Sequence, residues 1–169
     1  MPEDPRTSRY RLLRGPWGIW TELTASAAVT AERPTRGERV SEGVWLDTTP
    51  VRTHPVTDHR GVRLSAEEAD WLRFGACLAA PALTCRAPGR RTLVTVHRVL
   101  FPEADFQPEG LAAALLLWAQ EELGLPPHPV EATFDRAANR YAYDWGPRAA
   151  RPPAVSTPAA GQAAPNPGM

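Results

Sequence analysis

The stretch from Thr92 to Trp145 constrains the fold most, because the patterns of a strand, a helix and a hairpin follow one another there. Residues 92–101 carry apolar side chains on both parities, which is typical of a central strand covered on both faces. Residues 108–124 predict a helix, with proline in its first turn and glycine at its end. Residues 130–134 and 141–145 alternate as a hairpin. This stretch therefore predicts a packed domain that contains both helices and strands.

Two strands and a helix are predicted ahead of this stretch. Residues 17–31 alternate between apolar and polar side chains, which indicates a long strand with one buried face. Residues 40–46 predict a shorter strand, and we expect the two to form an antiparallel hairpin. A helix should begin at Ser65, because Ser65 and Glu68 have the spacing of a capping box. We expect Pro81 and the residues after it to end that helix.

The predicted order β-β-α-β-α-β-β indicates an α+β fold. We expect a two-layer sandwich, in which two helices pack on one face of a mainly antiparallel sheet. In layout this order resembles the sandwich shared by a small-subunit ribosomal protein and the fourth domain of elongation factor G, which implies a ribosome-associated module as one function. We predict a flexible N-terminal arm over residues 1–13, a single domain over 14–146 and a disordered Pro/Ala-rich tail over 147–169.

The charge composition disfavours several classes of function. Nineteen basic residues balance 19 acidic ones, so the net charge does not favour nucleic acid or an anionic membrane as partner. Every basic residue is Arg, which the codon usage of a GC-rich bacterial genome explains, and lysine-based covalent catalysis is excluded. No signal peptide or apolar stretch long enough to span a membrane is present, and Cys77 and Cys85 lack a metal-binding or redox spacing. We therefore expect a soluble cytoplasmic protein.

The sequence contains no nucleotide-binding glycine motif and no nucleophile elbow, so we predict no cofactor and no catalytic residue. His97, in the predicted central strand, is the one candidate for acid–base chemistry. Glu103, Asp105 and Glu109 are the acids we expect near it, and we predict no Ser or Cys nucleophile beside it. We favour a hydrogen-bonded structural histidine, and a small enzyme with a pocket near His97 is the alternative.

One loop carries residue types that bind metals. His54, Asp58 and His59 lie close together in the sequence, and two imidazoles with one carboxylate can hold zinc and leave an open position. A loop of this spacing does not fix the geometry that zinc requires. We therefore favour a solvated polar loop and keep the zinc site as the alternative.

The C-terminal hairpin carries an aromatic face. Tyr141, Tyr143 and Trp145 share one parity, and Arg136 and Arg140 lie beside them. Aromatic side chains flanked by Arg on a sheet are typical of surfaces that stack single-stranded nucleic acid. The same face can instead be the inner face of the sheet, covered by the helices. We favour burial, because the opposing strand places apolar side chains on that face.

Two tryptophans near the first predicted strand suggest a protein interface. Trp17 and Trp20 have opposite parities, so we expect one of them to be exposed, near Arg14. Trp and Arg are enriched where protein interfaces concentrate their binding energy.

The leading prediction is a non-enzymatic binding or adaptor protein that acts through a protein partner. The alternatives are a nucleic-acid- or ribosome-associated module and a small enzyme near His97.

Overall fold

Five strands form the main sheet, in the spatial order β1-β2-β5-β4-β3, and two further strands pair as a separate hairpin. The computed structural model describes residues 4–55, 60–147 and 151–154. The strands are β1 (Arg6–Leu13), β2 (Gly18–Thr30), β3 (Glu38–Ser41), β4 (Val44–Asp47), β5 (Arg91–Leu100), β6 (Glu131–Asp135) and β7 (Arg140–Asp144). The helices are α1 (Thr49–Arg52), α2 (Ala66–Arg86) and α3 (Glu109–Leu123), with a 3-10 turn at Glu103–Asp105.

The predicted α+β fold is confirmed, because α2 and α3 pack side by side on one face of the main sheet. The sheet is antiparallel except between β4 and β5. β5 is its central strand, as the apolar pattern on both parities predicts. Leu23, Ala25 and Ala27 of β2 are buried beneath the helices. Among the described residues, no helix is both long and apolar enough to cross a membrane.

The ends of the long helices follow local sequence signals. At the start of α2, the Ser65 hydroxyl accepts a hydrogen bond from the Glu68 main-chain N–H at 3.1 Å, and the Glu68 carboxylate accepts one from the Ser65 N–H at 2.7 Å. Gly124 ends α3 in the left-handed conformation, with a φ of 63°. α2 contains the exposed Pro81 and ends at Arg86, among the residues after this proline that were expected to end it.

The pairing predicted for the first two strands is wrong. β2 pairs with β1 on one side and β5 on the other, so it makes no hairpin with residues 40–46. That segment turns at Gly43, which has a φ of 75°, and its two halves become β3 and β4. Residues 6–13, which we expected in a flexible arm, form β1. The predicted tail lies mostly outside the described residues.

The face of the main sheet opposite the helices is covered over only part of its area. Residues 31–37 link β2 to β3, two strands that run in the same direction, so this link crosses the sheet over β5 and β4. Trp45 and Leu93 are buried on this face. Over β1, β2 and the end of β5, no other part of the described ranges covers the face, and we call it the open face. Its residues include Thr7, Arg9, Arg11, Leu13, Trp20, Glu22, Thr24, Arg98 and Leu100.

Candidate functional site

The register of β1 against β2 builds an apolar patch at one end of the open face. Leu13 lies opposite Gly18, and Arg11 lies opposite Trp20. Because Gly18 has no side chain, the Leu13 side chain lies over it, within 3.4 Å of where a Cβ would stand. Leu13 is 76% exposed, and Trp20 is half-buried. The end of the open face therefore presents an aliphatic and an aromatic side chain together.

The middle of the open face is a charge network centred on Glu22. Its carboxylate accepts a hydrogen bond from Arg9 Nε at 2.9 Å and another from Arg98. The Glu22 side chain is only 10% exposed, whereas that of Arg9 is 63% exposed. One buried carboxylate thus holds two guanidinium groups in place at the surface. Among the described residues, Arg11 forms no ion pair, so the open face has an excess of positive charge.

A β-bulge in β5 places His97 outside the regular strand pairing, beside the open face. Thr24 pairs with Arg98 and Ala25 with Val96, which leaves His97 as the extra residue on β5. Bulges turn side chains out of the regular alternation. The His97 Nε2 lies 2.8 Å from the Ser26 Oγ on β2. The prediction that no Ser or Cys lies beside His97 is wrong, because the pairing of β2 with β5 brings Ser26 there and no sequence spacing encodes that pairing.

The electrostatic surroundings of His97 favour the neutral imidazole. Burial lowers the pKa of His97, the positive charge of Arg36 lowers it further, and Asp47 opposes both. Asp47 is the acid that influences His97, and Glu109 instead pairs with Arg140. The Asp47 carboxylate accepts a hydrogen bond from the Thr49 N–H at 2.9 Å and lies 3.7 Å from Arg36 Nε. It is therefore engaged elsewhere, and the hydrogen bond to Ser26 fits the structural histidine that we favoured.

The lowered pKa of His97 makes stability depend on pH. In the unfolded chain the histidine pKa is near 6.5, so below that pH the unfolded chain binds more protons than the folded protein. The contribution of neutral His97 to the free energy of unfolding is therefore fully present above pH 6.5. It is lost as the pH falls through 6.5 toward the folded pKa. We expect the melting temperature to fall less between pH 7.5 and pH 5 in the His97→Gln variant than in the wild type. Equal falls in thermal melts of the two proteins would contradict the lowered pKa.

The aromatic residues of the C-terminal hairpin lie mainly in the core. Tyr141 is 1% exposed and Trp145 is 7% exposed, as the burial interpretation predicted. The Tyr141 hydroxyl donates to the Trp17 carbonyl oxygen at 2.7 Å and accepts from the Arg14 N–H at 2.8 Å. Tyr143, which is half-buried, shares a 3.0 Å hydroxyl–hydroxyl hydrogen bond with β1. The rings of Tyr141 and Trp145 therefore offer no exposed face on which bases can stack.

The remaining predicted binding residues lie apart from one another. Arg140 is held by its ion pair with Glu109, whereas Arg136 is exposed in the turn between β6 and β7. Trp17 packs edge-on against Tyr141, with ring centroids 5.3 Å apart, and also contacts Phe134. The expectation that one of the two tryptophans is exposed is wrong, because both are half-buried, and only Trp20 lies on the open face. The sequence identified Trp20 as a candidate, but Arg9, Arg11 and Leu13 were missed because β1 was predicted to be an arm. Arg98 was missed because it reaches this face only through the pairing of β5 with β2.

The structure describes only part of the predicted metal site. His54 is half-buried, and Asp58 and His59 lie outside the described residues. Within the described ranges, no three His, Cys, Asp or Glu side chains are grouped as a metal ion requires. The zinc site over His54, Asp58 and His59 therefore stays a prediction.

A groove of about 390 Å³ lies between α2, α3 and the segment that follows α3. The Trp145 side chain forms part of its wall, and the other lining groups are mainly apolar and proline side chains. Nearby, the His128 Nε2 lies 2.9 Å from the Trp145 carbonyl oxygen. The groove does not reach the open face and does not include His97.

Comparisons of this chain with protein-family models, with curated proteins and with solved structures found no match. The resemblance in layout to the ribosomal and elongation-factor sandwich thus gains no support from a solved structure.

Proposed function

We propose that this protein is a non-enzymatic binding module that docks a protein partner on its open face. The observation that carries the proposal is the apolar patch formed by Leu13 and Trp20 beside Arg11. Leu13 is exposed and Trp20 is half-buried on the same face, and contiguous apolar patches often mark interaction surfaces. Trp and Arg are the residue types that most often supply the binding energy of protein interfaces.

The charge network gives this surface a defined shape. The buried Glu22 carboxylate fixes Arg9 and Arg98, so less side-chain entropy is lost when a partner contacts them. Leu13 and Trp20 supply the apolar contact at one end. An apolar patch bordered by ordered polar groups is the usual composition of a protein interface.

A nucleic-acid module is the second candidate, and the excess of Arg on the open face is the observation that favours it. Three features favour a protein partner over nucleic acid. Trp20 is the one aromatic side chain of the open face, whereas stacking along a strand requires successive aromatic groups. The Glu22 carboxylate lies between the arginines and would repel phosphate. The aromatic rings of Tyr141 and Trp145 are buried.

An enzyme near His97 is the third candidate, and its support is the 2.8 Å contact with Ser26. A serine nucleophile requires a base that is oriented by a third group. Both contacts of the Asp47 carboxylate go to residues other than His97. The linings of four of the cavities in the described part of the chain do not include His97. Binding at the open face therefore has the better support.

The proposal is tested by a matched pair of substitutions on β2. Val29, 43% exposed, lies on the same strand but has the parity opposite to that of Trp20, so Val29→Ser is the control for Trp20→Ser. The tagged proteins are used to capture partners from a nuclease-treated lysate of the source organism. We expect the wild type and the control to retain a protein partner, and Trp20→Ser to retain about 10- to 30-fold less, as for an interface hot spot.

Two results would contradict the proposal. Equal capture by Trp20→Ser and the wild type would show that the open face does not bind the partner. Loss of all capture after nuclease treatment would favour the nucleic-acid module. Far-ultraviolet circular dichroism confirms beforehand that each variant is folded.

A further inference from the structure

No strand of the described part of the chain pairs with the outer edge of β1. β1 pairs with β2 through all eight of its residues without a shift in register, and it is the last strand of the sheet on that side. The Trp118 indole N–H donates to the Arg6 carbonyl oxygen at 3.1 Å, which covers only the beginning of the edge. Within the described residues, the main chain of 7–13 forms no hydrogen bond outside β2. Its outward N–H and C=O groups are available to another strand.

The opposite edge of the sheet is a much poorer template. β3 has four residues, and its register against β4 shifts between Arg39 and Ser41. An added strand needs a regular row of main-chain groups, and β1 supplies a row twice as long without such a shift. Strand addition is therefore directed to β1.

The charge on β1 selects what can pair with it. Arg6, Arg9 and Arg11 are exposed along the strand, and β1 contains no acidic residue. Pairing of β1 with a second copy of itself would bring two sets of arginines together, and like charges across a strand pair are destabilising. An acidic strand with its carboxylates on the open face instead places them next to the guanidinium groups of Arg9 and Arg11. The same arginines thus oppose self-association and favour an acidic segment.

We propose that an extended acidic segment of the partner adds to β1 as a sixth strand of the main sheet. This inference rests on the proposed function, because the added strand would extend the open face beside Leu13 and Trp20. Main-chain hydrogen bonds to β1 hold the segment, and alternate side chains meet Arg9 and Arg11. The partner is therefore a protein whose docking segment alternates acidic residues with β-branched ones.

The test uses the full-length protein and synthetic peptides as long as the eight residues of β1. One labelled peptide alternates Glu with Val, a second alternates Lys with Val, and a third is the Glu peptide with alternate main-chain nitrogens methylated. Fluorescence anisotropy measures binding, and hydrogen exchange followed by NMR measures protection of the main-chain amides of residues 7–13 that point away from β2. We expect only the unmodified Glu peptide to bind, to protect those amides and to bind more weakly as salt is raised.

The variant Arg11→Glu tests the charge, and Arg90→Glu is its control. Arg90 is exposed in the turn between α2 and β5. We expect Arg11→Glu to weaken binding of the Glu peptide about tenfold. Both variants carry the same change in net charge. The control should bind the peptide as tightly as the wild type does, because Arg90 does not lie on β1.

Each contrary result overturns the inference in a different way. Binding of the methylated peptide as tightly as of its parent, or binding without protection of residues 7–13, would exclude strand addition and leave docking on the open face intact. Tighter binding of a short oligothymidylate than of the Glu peptide would favour nucleic acid. Concentration-dependent protection of the same amides without peptide would identify a second copy as the occupant. No binding of the Glu peptide would exclude the acidic strand, and the capture experiment with Trp20→Ser would still decide the proposed function.

Discussion

Replacing Trp145 with alanine is expected to lower the free energy of unfolding by about 3–5 kcal/mol, the range typical of deleting a buried large aromatic side chain. Trp145 is 7% exposed. Its ring meets Phe74 edge-on at a centroid distance of 5.2 Å and stacks on Tyr143 at 4.8 Å. It also contacts Trp71, so the substitution removes the group that joins the C-terminal hairpin to α2. The cavity left behind cannot close without moving both elements.

Urea denaturation measures this loss, and Trp20→Ala is the matched control. Trp20 is half-buried on the open face, so the same truncation there should cost less than half as much. A loss below about 1 kcal/mol for Trp145→Ala would mean that the ring is displayed rather than buried. That result would favour the interpretation of the hairpin as a surface on which nucleic-acid bases stack.

Replacing Gly75 with valine is expected to lower the free energy of unfolding by about 3 kcal/mol, at the upper end of the usual cost of overpacking. Gly75 lies where α2 crosses α3. A Cβ at this position would stand 2.8 Å from the Ala112 carbonyl oxygen and 3.0 Å from its Cα. Both atoms belong to the main chain, so the helices must move apart to admit a side chain. Glycine is about 1 kcal/mol and valine up to about 0.7 kcal/mol less favourable than alanine in a helix, so the gain in helix propensity is much smaller than this cost.

The control for Gly75→Val is Ala66→Val, which places the same side chain at an exposed position in the first turn of α2. This control should cost only the propensity difference, up to about 0.7 kcal/mol. Equal losses for the two variants in thermal or urea denaturation would show that the helices do not approach as closely as the Gly75–Ala112 distance requires.

Local sequence signals were sufficient for most individual elements. The capping box at Ser65 and the left-handed glycine at residue 124 mark helix ends through contacts within a few residues, so they could be predicted. The alternation of residues 17–31 predicts β2 for the same reason. In β1, Ser8, Tyr10 and Leu12 alternate with exposed residues, as in a strand with one buried face. β1 was nevertheless missed, because Arg6, Arg9 and Arg11 gave it the composition of a flexible arm.

By itself, the sequence determined the class of fold, the central strand and the burial of the hairpin aromatics. Each of these depends on the period of apolar side chains along the chain. Only the tertiary structure decided that β1 and β5 flank β2, that Ser26 lies beside His97 and that Glu22 joins Arg9 to Arg98. These contacts join residues far apart in the chain, and which strands pair depends on competition among all the strands rather than on any local pattern. The open face arises from that pairing, which is why its residues could not be assembled from the sequence alone.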